Sequence, residues 1–256
     1  MKKHFLFIVT TIFFISCKQA DKKETATASQ YDSSYMPAVF ADPNRSTKIE
    51  AAFAVIDSMY KKHAADNHFP AISFGLVVDG QLVYKNSYGY TDLEKKIPAT
   101  SSSLFRIASM SKRFTCIAIL KLREEGKLEL DDPPQLYIHE LKKLKYPTAD
   151  APVITIRHLM THGAGFPEDN PWGDRQLADT DKDLVDFIGK QISFSNPPGI
   201  AFEYSNLGFA LQGKIITKVS GMRYQDYIKK NILEPLGMNT TTYEYGDVAA
   251  DKLAHG

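Results

Sequence analysis

A tight turn at Asp79-Gly80 constrains the fold of this sequence more than any other single feature. Strand-like runs rich in apolar and aromatic residues flank the turn, at residues 72–78 and 82–90. The Asp-Gly pair supplies the positive φ angles that a primed two-residue turn requires, so the two runs are predicted to pair as an antiparallel hairpin.

Helical patterns surround the hairpin. Residues 47–64 are predicted to form a helix with one apolar face, because Thr47 and Glu50 have capping-box spacing and apolar residues recur at helical intervals. Beyond Thr100 the pattern is mostly helical, which predicts a helical lobe beside the sheet. The predicted helices of this part cover residues 109–125, closed by Gly126; 155–162, closed by Gly163; 180–190; 206–220, closed by Gly221; and 224–233.

The first residues have the pattern of an export signal. Lys2 and Lys3 precede eleven residues, 5–15, that are apolar except for two threonines. This run is shorter than the roughly 20 residues that span a bilayer, and it ends at Ser16-Cys17, which is similar to a bacterial lipobox. A plain signal or a chance apolar start is the alternative. The sequence predicts a lipoprotein signal at residues 1–16, lipidation of Cys17, and a membrane-anchored protein that faces the periplasm.

A flexible tether and one folded domain are expected after the signal. Residues 18–35 are rich in charged and small polar residues and lack apolar periodicity, so they cannot bury a core. We therefore predict a tether at residues 17–46 and a domain at residues 47–256. The 31 basic and 30 acidic residues balance without a long basic run, so no nucleic-acid partner is expected.

The pair Ser109 and Lys112 is the first candidate for chemistry. At a spacing of three on a helix, the two side chains lie on one face, so the Lys112 amine can reach the Ser109 hydroxyl. Ser109 begins an apolar helix through Phe114, Ile117, Ala118 and Leu120, so Lys112 is expected to enter the fold. The same spacing recurs at Ser58 and Lys61, in the middle of the first predicted helix, where it has no assigned role. Taken alone, Ser109 is equally consistent with a helix-capping serine beside a surface lysine.

Tyr204 and Asn206 are the second candidates. They follow the turn Asn196-Pro197-Pro198-Gly199 and precede a predicted helix, a position from which side chains can face a cleft. Taken alone, the same residues are consistent with a buried tyrosine and a helix-capping asparagine.

His158 and His162 lie four positions apart, so on one helix face they could bind a metal. No glutamate lies between them and no third ligand is evident nearby. Two structural, hydrogen-bonded histidines are therefore the favoured interpretation.

Together these segments resemble the serine β-lactamase and penicillin-binding protein family, in the branch related to class C β-lactamases and D-alanyl-D-alanine peptidases. The resemblance covers residues 47–256 and rests on motif order and spacing as well as on the motifs. It implies an α/β (α+β) fold with a helical lobe and an antiparallel sheet flanked by helices. The segments that carry it are Phe-Arg-Ile-Ala-Ser-Met-Ser-Lys at 105–112, residues 154–165, Tyr-Ser-Asn at 204–206, and Glu-Pro-Leu-Gly-Met at 234–238.

The resemblance also implies the roles of the candidate residues. Ser109 attacks a carbonyl and forms an acyl-enzyme, Lys112 and Tyr204 transfer its proton, and Asn206 holds the substrate amide or the lysine. Which of Lys112 and Tyr204 is the general base stays open. No cofactor or metal is implied.

The family carries a third motif on a later strand, which supplies an oxyanion donor, and this sequence reaches only His255-Gly256. The sheet is accordingly expected to be incomplete, and the chain is interpreted as the N-terminal portion of a longer protein or as a natural short form.

The resemblance implies an exported serine hydrolase that acts on an amide or ester, such as a D-alanyl peptide, a β-lactam or a small ester. The competing hypothesis is a catalytically silent lipoprotein that binds cell-wall peptide with the same fold. A penicillin-like acylating probe separates the two, because a binder would not be labelled covalently.

Overall fold

The structure is a computed structural model of the 256-residue chain, and it describes Met36 and residues 41–169, 180–190 and 192–255. The predicted signal, Cys17 and most of the predicted tether lie outside these residues. The chain divides into two compact units, Met1–Ala51 and Ala52–Gly256. The described part of the first unit contains helix α1 (Arg45–Ala51).

The helix predicted at residues 47–64 is observed as two helices, α1 and α2 (Phe53–Asp66). The predicted capping box of Thr47 and Glu50 is wrong, because Thr47 already lies inside α1. The first turn forms earlier in the chain: the Lys48 N–H donates to the Asn44 carbonyl at 3.0 Å.

The predicted hairpin is confirmed. Strands β1 (Ala71–Val78) and β2 (Gln81–Asp92) pair antiparallel, and Asp79 and Gly80 have φ angles of 51° and 76° at the turn. A two-residue strand that the sequence analysis did not predict, β3 (Ile97–Pro98), pairs with β2 and gives a three-stranded sheet of order β1-β2-β3.

Helix α2 packs on the hairpin through aromatic rings. Tyr60 stacks on Phe74 of β1 with ring centroids 4.1 Å apart, and Phe53 stacks on Tyr84 of β2 at 4.5 Å. Within the part of the chain that the structure describes, β1 pairs with β2 alone. The helix therefore supplies the packing that a hairpin needs to be stable.

The segment that contains Ser109 begins as a 3-10 turn, Ala108–Ser111, and continues as α3 (Lys112–Glu124). The helix ends where predicted, since Gly126 takes a left-handed φ of 68°. Of the apolar residues noted on this helix, Ala118 is buried and Phe114 is partly buried, but Ile117 and Leu120 are exposed. The buried residues follow the helical repeat from Thr115 instead: Thr115, Ala118, Ile119 and Leu122.

Among the described residues, the helical lobe also contains α4 (Ile156–Met160), α5 (Asp181–Gly189), α6 (Asn206–Ser220) and α7 (Tyr224–Ile228). A π-helical turn, Lys229–Leu233, follows α7, and short 3-10 turns lie at Pro134–Leu136, His139–Lys143 and Tyr245–Asp247. Helix α6 packs against both α3 and α4. The fully buried side chains at the centre of this packing include Ile119, Leu122, Ile156, Leu159, Phe166, Leu211, Ile215 and Ile216.

This architecture confirms the predicted α/β (α+β) class, with a helical lobe and a small antiparallel sheet. Residues 252–255 run beside the segment that leads to Ser109. The Leu104 N–H donates to the Lys252 carbonyl at 2.7 Å, and the His255 N–H donates to the Thr91 carbonyl of β2 at 2.8 Å. In the described ranges, no helix has the length and hydrophobicity needed to span a membrane.

Candidate active site

Ser109 lies in the 3-10 turn that precedes α3, and Lys112 is the first residue of that helix. The Lys112 Nζ donates to the Ser109 Oγ at 2.9 Å, so the predicted contact at a spacing of three is confirmed. Ser109 is exposed, whereas Lys112 is half-buried. The hydroxyl therefore faces solvent while the amine approaches it from inside the fold.

Tyr204 and Asn206 reach the same place from the start of α6. The Tyr204 hydroxyl lies 2.6 Å from the Ser109 Oγ, and Lys112 Nζ donates to that hydroxyl at 2.8 Å and to Asn206 Oδ1 at 2.6 Å. Lys112 thus contacts three acceptors, which is the number of hydrogens an ammonium carries. The structure brings together the four residues that the sequence analysis selected.

The other Ser-x-x-Lys pair is not part of this arrangement. Ser58 and Lys61 are both exposed on α2, and Lys61 Nζ lies 5.8 Å from the centre of the Tyr88 ring. The Ser-x-x-Lys spacing alone therefore does not form a site. Ser109 and Lys112 form one because Tyr204 contacts both of them and Asn206 contacts Lys112.

Backbone strain marks the turn that carries Ser109. Ala108, the preceding residue, has a φ of 43°, in the left-handed region that alanine rarely adopts. Strained residues persist only where the surrounding structure holds them, and they cluster at functional sites.

The backbone at residues 162–163 and the backbone at residues 199–203 run side by side, and this pairing positions Tyr204 at the site. The Gly199 N–H donates to the Gly163 carbonyl at 2.8 Å, and the Glu203 N–H donates to the His162 carbonyl at 2.8 Å. Gly199 has a φ of 81°, which fits the turn that the sequence analysis placed there. The position of Tyr204 is therefore set by residues about 40 positions earlier in the chain.

Asp169 anchors the start of α6, and sequence reasoning missed it. Its carboxylate accepts hydrogen bonds from the backbone N–H of Asn206 at 2.6 Å, from that of Leu207 at 2.8 Å, and from the Ser205 hydroxyl at 3.0 Å. A carboxylate satisfies the orphan N–H groups of a helix N-terminus and matches its partial positive charge. No local pattern could have identified Asp169, because its partners lie 36 to 38 residues away.

His162 also touches the site, although the sequence predicted for it only a structural, hydrogen-bonded role. Its ring stacks on Tyr204 with centroids 4.6 Å apart, and its Nδ1 accepts the Ser205 N–H at 3.0 Å. Burial lowers the pKa of His162, and the charge of Lys112 lowers it further, whereas Asp169 raises it. The imidazole is therefore neutral at neutral pH.

Both His158 and His162 are hydrogen-bonded, as the favoured interpretation predicted, and they do not share a helix face. Helix α4 ends at Met160, and His162, rather than Gly163, takes the left-handed conformation with a φ of 57°. His158 instead completes a capping box, since its Nδ1 accepts the Thr155 N–H at 3.2 Å. Over the described ranges, no group of three or more His, Cys, Asp or Glu side chains converges as a metal site.

The chemistry that this arrangement permits follows from its contacts. One exposed hydroxyl lies within hydrogen-bond distance of Lys112 and of Tyr204, and either group can accept its proton in its deprotonated form, Lys112 as the neutral amine or Tyr204 as the phenolate. Lys112 Nζ also lies 4.9 Å from the centre of the Tyr204 ring and 5.5 Å from that of Phe209, so both rings pack beside it.

Curated relatives share part of this chain. Penicillin-binding protein 4* of Bacillus subtilis is 33% identical over 181 residues, which are 69% of this chain and 38% of that protein. Protein flp of Staphylococcus aureus is 33% identical over 195 residues, which are 74% of this chain and 38% of that protein. The chain thus spans about two-fifths of the length of these relatives.

Solved structures share the fold. A penicillin-binding protein homologue from Pyrococcus abyssi, described as octameric, superposes with a TM-score of 0.67 at 33% identity, over 79% of this chain and 47% of that one. A class C β-lactamase in complex with cefoxitin superposes with a TM-score of 0.68 at 26% identity, over 83% of this chain and 56% of that one.

The family model described as Beta-lactamase matches residues 56–256. This match takes in the hairpin, the helical lobe and all four side chains of the site. The chain belongs to the β-lactamase family, whose members include penicillin-binding protein homologues and class C β-lactamases.

Proposed function

We propose that this chain supplies the nucleophile and the proton-transfer groups of a serine hydrolase that works through an acyl-enzyme. The observation that carries the proposal is the contact of the Ser109 hydroxyl with both Lys112, at 2.9 Å, and Tyr204, at 2.6 Å. Membership of the β-lactamase family supports acyl transfer as the reaction class.

The proposed reaction has two steps. Ser109 Oγ attacks the carbonyl carbon of an amide or ester while its proton passes to Lys112 or Tyr204; that proton then reaches the leaving amine or alcohol as the carbonyl–heteroatom bond breaks. A water molecule next attacks the acyl-enzyme, and the reverse transfers release the acid and restore the Ser109 hydroxyl. Both Lys112 and Tyr204 touch the hydroxyl, so the geometry admits either as the base, provided that Lys112 is then a neutral amine or Tyr204 a phenolate.

Asn206 and the backbone have supporting roles in this proposal. The Asn206 side-chain oxygen accepts a hydrogen bond from Lys112 Nζ at 2.6 Å, so Asn206 is proposed to hold the lysine in place beside the Ser109 hydroxyl. The backbone N–H of Ser109 is proposed as one oxyanion donor, since a hydrogen-bond donor at the developing negative charge typically contributes about 10²- to 10³-fold in rate.

The proposed substrates are D-alanyl peptides, β-lactams and small esters. Support comes from the relatives, because one is a penicillin-binding protein by name, another is described as a penicillin-binding protein homologue, and one solved structure is a class C β-lactamase bound to cefoxitin. A further structural relative, at 26% identity and a TM-score of 0.64, is described as a hydrolase with promiscuous acyltransferase activity.

Covalent labelling with a fluorescent penicillin tests the nucleophile in the full-length protein. We expect Ser109→Ala to abolish labelling, because it removes the attacking oxygen, and Ser58→Ala to leave labelling intact. Mass spectrometry of the labelled peptide should place the acyl group on Ser109. Labelling that survives in folded Ser109→Ala would show that the assignment is wrong, and absence of labelling in the unsubstituted protein would favour a silent binder.

We also propose that the protein is exported and anchored to a membrane through lipid on Cys17. The short apolar run that ends at Ser16-Cys17 motivates this proposal. Cys17→Ala is expected to move the protein from the detergent phase to the aqueous phase after phase separation, or to leave the signal uncleaved. Partitioning that does not change would contradict a lipid anchor. Cys116→Ala is the matched control and should leave partitioning unchanged.

A further inference from the structure

We propose that His162 is a positioning residue that holds Tyr204 against the Ser109 hydroxyl and does so only as a neutral imidazole. This inference rests on the proposed function, since it concerns how Tyr204 is kept in place for proton transfer. His162 itself touches neither Ser109 nor a substrate in the proposal; it acts through Tyr204 and the peptide that follows.

The first argument is the pair of contacts that one side chain makes to the Tyr204 segment. The imidazole lies nearly parallel to the Tyr204 ring, with an interplanar angle of 25° and centroids 4.6 Å apart. Its Nδ1 accepts the N–H of Ser205 at 3.0 Å. The stack fixes the plane of the phenol, and the hydrogen bond fixes the peptide next to it, so both the ring and its backbone are held.

The second argument is the way the imidazole is itself held. Phe202 contacts its ring edge-on at 5.3 Å, and Phe209 contacts it at 5.1 Å, so three aromatic rings surround it. The φ of 57° at His162 aims the ring toward the site instead of along α4. Histidine is among the residues that adopt this conformation more readily than most.

The third argument concerns charge. The Nδ1 accepts the Ser205 N–H only while it carries no proton, and protonation would also place a second cation near Lys112. The ionisable groups that face His162 are Lys112 from α3, Asp169 from the segment after α4, and Tyr204 from the loop before α6; the Glu203 backbone N–H binds the His162 carbonyl. Burial and Lys112 together outweigh Asp169 and keep the ring neutral.

Two complementary variants test the proposal in the full-length protein. His162→Phe keeps an aromatic ring but removes the acceptor, and His162→Asn keeps a short acceptor and tolerates a positive φ but removes the ring. We expect each to slow acylation of Ser109 by the penicillin probe about 10- to 100-fold, with little change in the concentration of probe that gives half-maximal rate. His158→Asn is the matched control and should acylate at the unsubstituted rate.

The pH profile separates positioning from a merely structural role. In the unsubstituted protein the acylation rate should fall on the acid side as His162 gains a proton, and this acid limb should disappear in both His162 variants while it persists in His158→Asn. Folded His162 variants that acylate at the unsubstituted rate, or that keep the acid limb, would overturn the proposal.

A readout that does not depend on catalysis completes the test. With ¹³C-labelled tyrosine, the Tyr204 Cζ resonance, assigned through Tyr204→Phe, should move with pH as His162 titrates and should stop doing so in His162→Asn. A Tyr204 Cζ chemical shift that does not change as His162 titrates would contradict the inference, even if the protein formed no acyl-enzyme. Failure of labelling in the unsubstituted protein would instead contradict the proposed function.

Discussion

Ala108 holds a backbone conformation that alanine rarely adopts, immediately before the proposed nucleophile. Its φ of 43° lies in the left-handed region, where a Cβ atom crowds the neighbouring backbone. Such a residue costs about 1–3 kcal/mol and is maintained by contacts around it. Here those contacts include the hydrogen bonds that tie Ser109 to Lys112 and Tyr204. The site therefore stores strain at the residue that sets the direction of the nucleophile.

We predict that Ala108→Gly raises the free energy of unfolding by up to about 1 kcal/mol, because glycine adopts a positive φ without a Cβ clash. Ala118→Gly, in the buried middle of α3, should lower it by at least about 1 kcal/mol, because glycine weakens a helix and leaves space in the core. Urea denaturation of the two variants measures both effects. Equal destabilisation by both substitutions would contradict the presence of strain at Ala108.

The paired loops after α4 and before α6 form the element on which the site depends. Three backbone hydrogen bonds of 2.8–2.9 Å join them, between Glu203 and His162, between Gly199 and Gly163, and between Ser195 and Gly165. The pairing requires close approach at Gly165, where an added Cβ would lie 2.1 Å from the Asn196 carbonyl oxygen.

We predict that Gly165→Ala lowers the free energy of unfolding by about 2–4 kcal/mol, because the φ of 79° and the contact with Asn196 are both unfavourable to alanine. Gly221→Ala is the matched control: its φ of 71° is similar, but the space around it is open, so it should cost only about 1 kcal/mol. Thermal or urea unfolding measures the difference. Similar losses in both variants would show that backbone conformation alone, and not the close approach, matters.

At the scale of the whole molecule, two half-buried histidines make stability depend on pH. Burial is the main cause of the lowered pKa at both His158 and His162. Each Nδ1 accepts a backbone N–H, which requires the neutral ring. The native state therefore binds protons less readily at these two positions than the unfolded chain does.

We predict that the free energy of unfolding falls as pH decreases below about 6.5, the ordinary histidine pKa, and is independent of these groups above it. The unfolded chain gains protons first, so each histidine contributes a slope of up to about 1.4 kcal/mol per pH unit. Urea unfolding at pH 7.5, 6.5 and 5.5 measures the slope, and the double substitution His158→Asn with His162→Asn should reduce it. Carboxylates such as Asp131, whose pKa is lowered by Arg157, act only at more acidic pH. A stability that rises toward pH 5.5 would contradict the prediction.

Sequence by itself determined the features that depend on residues close together in the chain. The hairpin follows from Asp79-Gly80, because a primed turn involves only neighbouring residues. The ends of α3 and α6 follow from Gly126 and Gly221, because glycine adopts the left-handed conformation at little cost. The contact between Ser109 and Lys112 follows from their spacing of one turn.

Tertiary structure alone decided the features that depend on distant residues. Tyr204 meets Ser109 across 95 positions of the chain, and Asp169 reaches the start of α6 across 37, where local patterns carry no information. Helix α4 ends with a left-handed His162 although Gly163 is intrinsically better suited, since this conformation lets the ring pack on Tyr204. The buried face of α3 was likewise set by the helices around it, because hydrophobicity makes burial favourable but only packing partners determine which apolar side chains lose contact with water.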